Sequence, residues 1–153
     1  MQGLELKVPP VALVLLAGGC MWVVAWASPA FGFAFPARII SAMGMVVIGI
    51  AIAGMGVFSF SRAKTTVNPM KPDSSSALVV SGIYRLTRNP MYLGILLLLI
   101  GWGIFLSNAL ALLVLPGFVL YMNRFPIEPE ERALTRIFGM AFLEYRTQVR
   151  RWI

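Results

Sequence analysis

The sequence predicts an all-α integral membrane protein: a bundle of about four transmembrane helices, followed by amphipathic cytosolic helices at the C-terminal end. Three observations predict it. Hydrophobic residues make up 59% of the 153-residue chain and charged residues only 12%, against about 25% charged in a soluble domain. Apolar stretches long enough to cross a bilayer recur, each approaching the roughly 20 residues a spanning helix needs. The polar residues gather in two segments, 61–90 and 124–153.

The first span covers residues 8–27. Pro9 and Pro10 suit its first turn, where a missing N–H costs nothing. Ala25-Trp26-Ala27 has the small-x-small form of a signal-peptide cleavage site. Glu5 in the leader opposes that reading, so the stretch is taken as a retained span. Residues 28–36 are a short uncharged link rich in Pro, Gly and Phe. The second span covers residues 37–60. Ala42, Gly49, Ala53 and Gly56 recur along it at roughly helical spacing, and such a stripe admits a neighbouring helix at close range. It reads as packing, and it permits a dimer without requiring one.

Residues 61–89 form a polar loop with Pro69, Pro72 and Ser74-Ser75-Ser76. Loops of this length are functional or disordered. Large apolar groups at Leu78, Val79, Val80 and Tyr84 predict that its second half is ordered and docked. Asn89-Pro90 reads as a helix start, with Asn as the cap and Pro at the first position. A third span follows over 91–107, then a tight turn at Ser107-Asn108 and a last span over 109–122. These two spans are short, which predicts a tilted hairpin or thinned lipid.

After Arg124, Pro126 and Pro129 punctuate the chain. Glu128, Glu130 and Glu131 then occupy the first turn of a new helix, where negative charge is favoured. Gly139 ends that helix. Leu134, Ile137, Phe138, Phe142, Tyr145, Val149 and Trp152 recur near 3.6-residue spacing, so the tail lies on the membrane surface or folds back over the bundle. The whole forms one domain over residues 1–153, with two N-terminal spans in 1–60 and a core in 61–153.

The net charge is +7 without a single histidine. No basic stripe interleaves with aromatic residues, so nucleic acid is not an expected partner; anionic lipid headgroups are. Cys20 is the only cysteine, so no disulfide closes within the chain. With no histidine and no second thiolate, no metal site is expected, and Cys20 reads as a packing residue. The loop carries Arg62, Lys64, Lys71, Arg85 and Arg88. The tail carries Arg124, Arg132, Arg136, Arg146, Arg150 and Arg151. The two opposite links carry none, with Arg38 just inside the second span. Positive charge stays inside, so both termini and both polar segments are expected on the cytosolic face of the plasma or inner membrane.

That face collects nearly every polar group of the chain. The third span begins there, and its free N–H groups and positive dipole end suit an anion. Arg85 and Arg88 precede it, Tyr84 and Tyr92 bracket it, and Glu130 and Glu131 arrive from the tail. Together they suit a zwitterionic ligand with a flat base. The helix end or an arginine would hold a carboxylate, a glutamate would hold an ammonium or ribose hydroxyls, and tyrosine faces would meet the base or a cation. The bland alternative makes the arginines topology signals and the tyrosines interfacial anchors.

The run from Leu78-Val79-Val80 through Ser81-Gly82-Ile83-Tyr84-Arg85-Leu86-Thr87-Arg88 to Asn89-Pro90-Met91-Tyr92-Leu93-Gly94 resembles the signature of the isoprenylcysteine carboxyl methyltransferase and phospholipid methyltransferase family. The likeness extends to Glu130-Glu131, Phe138-Gly139, Glu144-Tyr145 and Val149-Arg150-Arg151-Trp152, and covers residues 66–153. It implies a membrane enzyme that uses S-adenosylmethionine to methylate a lipophilic or lipid-modified acceptor, with the cofactor pocket closed by the C-terminal helices. By the same resemblance, Ser76, Ala77, Leu78, Val79, Tyr84, Asn89, Pro90, Met91, Tyr92, Glu130 and Glu131 would contact the cofactor. Arg124 is the nearest candidate for positioning the substrate. The family commonly has histidine where Asn89 stands; Asn bonds in both directions but is no base near neutral pH. A sterol-type membrane reductase using NADPH is the rival enzyme, although such proteins favour His-Pro-Asn-Tyr at this motif. A small transporter subunit or scaffold is the non-catalytic rival, although the spans lack the buried charges that transporters use.

Overall fold

A computed structural model of the chain describes residues 9–63 and 77–153. Helix α1 runs Pro10–Ala27 and α2 runs Arg38–Arg62. Helix α3 runs Pro90–Leu106 and begins at a proline, as the sequence predicts. Helices α4 (Ala109–Leu112) and α5 (Val114–Met122) are separated only by Leu113. Helix α6 (Glu128–Phe138) and α7 (Met140–Gln148) follow, joined at Gly139, whose φ of +53° turns the chain.

The sequence predicts a break after Arg124 and a fresh helix at Glu128. Instead the helix continues from Ala109 to Phe138 for 30 residues. It passes through a wide π-helical turn at Asn123–Ile127 that contains Pro126. Proline brings no N–H to the carbonyl one turn back and crowds it. Widening by one residue accommodates that defect without ending the helix.

Among the described residues, three helical stretches are long and apolar enough to cross a bilayer: Pro10–Ala27, Arg38–Arg62 and Ala109–Phe138, with the shorter apolar Pro90–Leu106 beside them. Their outer faces expose Leu15, Leu16, Ile40, Val47, Phe58 and Leu120. At roughly 25 cal/mol per Å² of apolar surface, water is an unfavourable neighbour for such faces and lipid is a suitable one. The chain is an all-α integral membrane bundle.

The small-residue stripe packs α2 on α3. A Cβ on Gly94 would lie 2.5 Å from the carbonyl oxygen of Gly49, and one on Gly49 would lie 2.7 Å from that of Gly94. Gly101 meets the carbonyl of Ala42, and Gly56 meets Pro90 and Met91. Only glycine permits backbones to approach this closely.

The two ends of the bundle differ in kind. At one, Asn108 ties the links together. Its amide donates to the Ser28 carbonyl at 2.8 Å, and its oxygen accepts from the Ala111 N–H at 3.1 Å. At the other end gather residues 77–89, the start of α3, the π turn, α6, α7 and the last residues of the chain. There Val79, Tyr84, Phe142, Tyr145 and Val149 form their own buried apolar cluster. The tail thus folds back on the loop, and the loop's second half is ordered.

Candidate functional site

Tyr92 stands on the first turn of α3 and is 5% exposed. Its hydroxyl donates to Oε2 of Glu130 at 3.2 Å. Glu130 belongs to the first turn of α6. The two residues are 38 positions apart in the chain, so only the fold brings them together.

Tyr84 lies in the turn that precedes α3. It lies on a 3-10 turn, Gly82–Arg85, that starts at Gly82 with φ of +64°, a conformation that strains any residue with a Cβ. Its ring meets the edge of Phe60 at 5.4 Å. The Tyr145 hydroxyl donates to its carbonyl at 2.7 Å. Burial first, then the charge of Glu130, raises the Tyr84 hydroxyl far above its ordinary pKa, so it stays protonated. Tyr84 itself packs in the apolar cluster with Val79, Phe142, Tyr145 and Val149, whereas Tyr92 packs in the core of the bundle.

Glu131, one residue on, does something else. Its Oε1 lies 3.0 Å from Nη1 of Arg88. Arg151 donates to both its oxygens, from Nε at 3.1 Å and from Nη2 at 2.7 Å. Burial lowers the Arg88 pKa while the charge of Glu131 raises it. The ion pair therefore holds a desolvated guanidinium whose Nε has no hydrogen-bond partner among the described residues. Both carboxylate oxygens of Glu131 are occupied in joining the loop, α6 and the chain end.

The remaining sequence-derived candidates divide. Pro90 and Met91 face Gly56 of α2 and serve the helix contact. Val79 is buried in the apolar cluster, with Leu78 packed against it and Ala77 half-buried. Ser76 lies outside the described residues. Asn89 makes no side-chain cap on α3, contrary to its reading from sequence. Its amide nitrogen donates to the Arg151 carbonyl at 2.9 Å, which turns the side chain toward the chain end. Arg124 pairs with Glu128 one turn on, in an exposed position. The sequence reading missed Thr87, Asn123 and Trp152 as site-building residues. Thr87 is 1% exposed and its hydroxyl donates to the Arg151 carbonyl at 3.3 Å. Trp152 donates from Nε1 to Oδ1 of Asn123 at 3.0 Å.

The arrangement offers a carboxylate, two buried tyrosines and flanking guanidiniums at the polar end of a membrane bundle. The carboxylate has lone pairs beyond the one used by Tyr92, so it can accept from hydroxyls or an ammonium. The phenol rings can face a flat base or a cation.

Comparison with known proteins points the same way. A family model described as phospholipid methyltransferase matches residues 37–141. A probable protein-S-isoprenylcysteine O-methyltransferase of Oryza sativa subsp. indica is 33% identical over 108 residues, covering 69% of this chain and 55% of the rice protein. The protein-S-isoprenylcysteine O-methyltransferase of Saccharomyces cerevisiae is 25% identical over 124 residues, covering 78% of this chain and 51% of the yeast protein. An uncharacterised protein of Haemophilus influenzae is 43% identical over 63 residues, which are 41% of this chain and all of that one. The chain thus spans about half the length of the named methyltransferases it matches. No solved structure matches it significantly.

Proposed function

The chain belongs to the phospholipid methyltransferase family, and on that premise we propose that it transfers a methyl group from S-adenosylmethionine to a lipophilic acceptor at the face where α3 begins. The observation that carries this reading is the contact between Tyr92 and Glu130. It joins an aromatic hydroxyl and a carboxylate from the two stretches in which the family resemblance is concentrated.

The residues present fit the cofactor's chemistry. Glu130 can take ribose hydroxyls or the ammonium group, and Tyr84 and Tyr92 can meet the adenine or the sulfonium. Glu131 is a poor candidate because Arg88 and Arg151 already occupy it. When bound, the cofactor supplies an electrophilic methyl group on a positively charged sulfur. The chain's own residues orient the reactants and exclude water. Tyr92 holds Glu130 through its hydrogen bond, and the cluster of Val79, Tyr84, Phe142 and Tyr145 ties the loop before α3 to α7. A direct displacement asks for in-line placement above all, and placement supplies much of the rate.

The chain has no histidine. An acceptor that is already ionised, such as an isoprenylcysteine-like carboxylate, asks for no base, whereas one that must lose a proton would need Glu130 or Glu131 to take it. The acceptor enters from lipid and the cofactor from water. The charge bias of the loop and tail supports a cytosolic position for that watery side.

The test supplies methyl-labelled S-adenosylmethionine to membranes with and without the protein. Label in a lipid-soluble product, absent with Glu130→Gln, supports the reading. Equal labelling in membranes lacking the protein contradicts it.

A further inference from the structure

The last residues of the chain form a strap rather than a helix. Val149 is extended (φ −123°, ψ 134°), and the segment after it bonds in two directions. Toward α3, the Arg150 carbonyl accepts from the Arg88 N–H at 3.0 Å. The Arg151 carbonyl accepts from the Asn89 amide at 2.9 Å and the Thr87 hydroxyl at 3.3 Å. Toward the long helix, Arg151 clasps Glu131 through two hydrogen bonds, and Trp152 donates to Asn123 at 3.0 Å in the π turn.

The strap therefore grips the segment that leads into α3 and the long helix, on either side of the Tyr92–Glu130 pair. Asn89 lies three residues before Tyr92. Glu131 adjoins Glu130, and Asn123 lies about two helical turns before it. We propose that Arg151 and Trp152 are positioning residues that set the Tyr92–Glu130 hydrogen bond. Neither touches a reacting atom; each fixes the distance between the two helices that carry the pair. This inference rests on the methyltransferase reading only for its effect on cofactor affinity.

The experiment uses the full chain in nanodiscs. The carboxyl infrared band lost in Glu130→Gln belongs to Glu130, and Tyr92→Phe shifts it by removing the donor. Trp152→Phe should shift it in the same sense. So should Asn123→Ala, which removes the same bond from the other side. Added to Tyr92→Phe, Trp152→Phe should shift it no further, because the two act through one contact. S-adenosylhomocysteine affinity should fall roughly three- to tenfold in Trp152→Phe, the factor one neutral hydrogen bond carries. Arg151→Lys should restore part of what Arg151→Gln loses. A band that moves with Tyr92→Phe but stays fixed in Trp152→Phe, Asn123→Ala and Arg151→Gln overturns the proposal. Additive shifts with a general fall in melting temperature overturn it too. A band that moves as expected in a protein that binds no S-adenosylhomocysteine upholds the strap and refutes the cofactor reading instead.

Discussion

The Tyr92 hydroxyl reaches Oε2 of Glu130 across 3.2 Å, fastening the first turn of α3 to the first turn of α6. The neighbouring Glu131 points elsewhere, onto Arg88 and Arg151. Successive helical residues are rotated by about 100°, so two adjacent carboxylates face two different surroundings. One meets the Tyr92 hydroxyl and the other joins an ion cluster with Arg88 and Arg151.

That division predicts two kinds of defect. Glu131→Ala strands Arg88, whose side chain is 11% exposed, without its counter-charge. Breaking such a buried pair costs about 3–5 kcal/mol. Glu128→Ala removes the partner of Arg124, where the two side chains are 56% and 37% exposed, and should change stability by no more than about 0.5 kcal/mol. Melting curves in one detergent at one scan rate compare them. Equal effects would contradict the assignment.

The contact between α2 and α3 predicts a contrast among glycines. Gly94→Ala puts a methyl group 2.5 Å from the Gly49 carbonyl, and overpacking of this kind costs about 1–3 kcal/mol. Gly44 has open space around it, so Gly44→Ala should be neutral or gain up to about 1 kcal/mol from lower backbone entropy in the unfolded chain. Thermal stability of the two variants in nanodiscs decides it.

Tyr145→Phe tests how α7 supports the site. It deletes the 2.7 Å bond to the Tyr84 carbonyl and leaves that buried carbonyl unpaired, at a cost of about 1–3 kcal/mol. The expected outcome is a lower melting temperature together with weaker S-adenosylhomocysteine binding, because the turn bearing Tyr84 loosens. A lower melting temperature with unchanged affinity would remove Tyr84 from the site.

Much of this fold is written in local pattern. Gly49 and Gly56 announce close packing by their spacing, and Pro90 announces the start of α3. Other features depend on distant partners and leave no local trace. Asn89 reads as a cap, yet the Arg151 carbonyl claims its amide. Pro126 reads as a break, yet a π turn absorbs it. Glu130 and Glu131 look alike in sequence because their roles depend on which neighbours each face of α6 meets. Val149 and Trp152 fit a helical period but lie at the start and in the course of a non-helical strap, held half by its own backbone carbonyls and half by the side chains of Arg151 and Trp152. The family resemblance brings Tyr84, Tyr92 and Glu130 forward, while the fold supplies their geometry.

The most direct test of the central claim is calorimetry with S-adenosylhomocysteine on purified wild-type protein, Glu130→Gln and Tyr92→Phe in nanodiscs. The expected result is saturable one-to-one binding in the wild type, severalfold weaker binding in Tyr92→Phe, where one hydrogen bond of about 1 kcal/mol is lost, and a larger loss in Glu130→Gln. No heat of binding in folded wild-type protein, or equal affinity in all three, would contradict it.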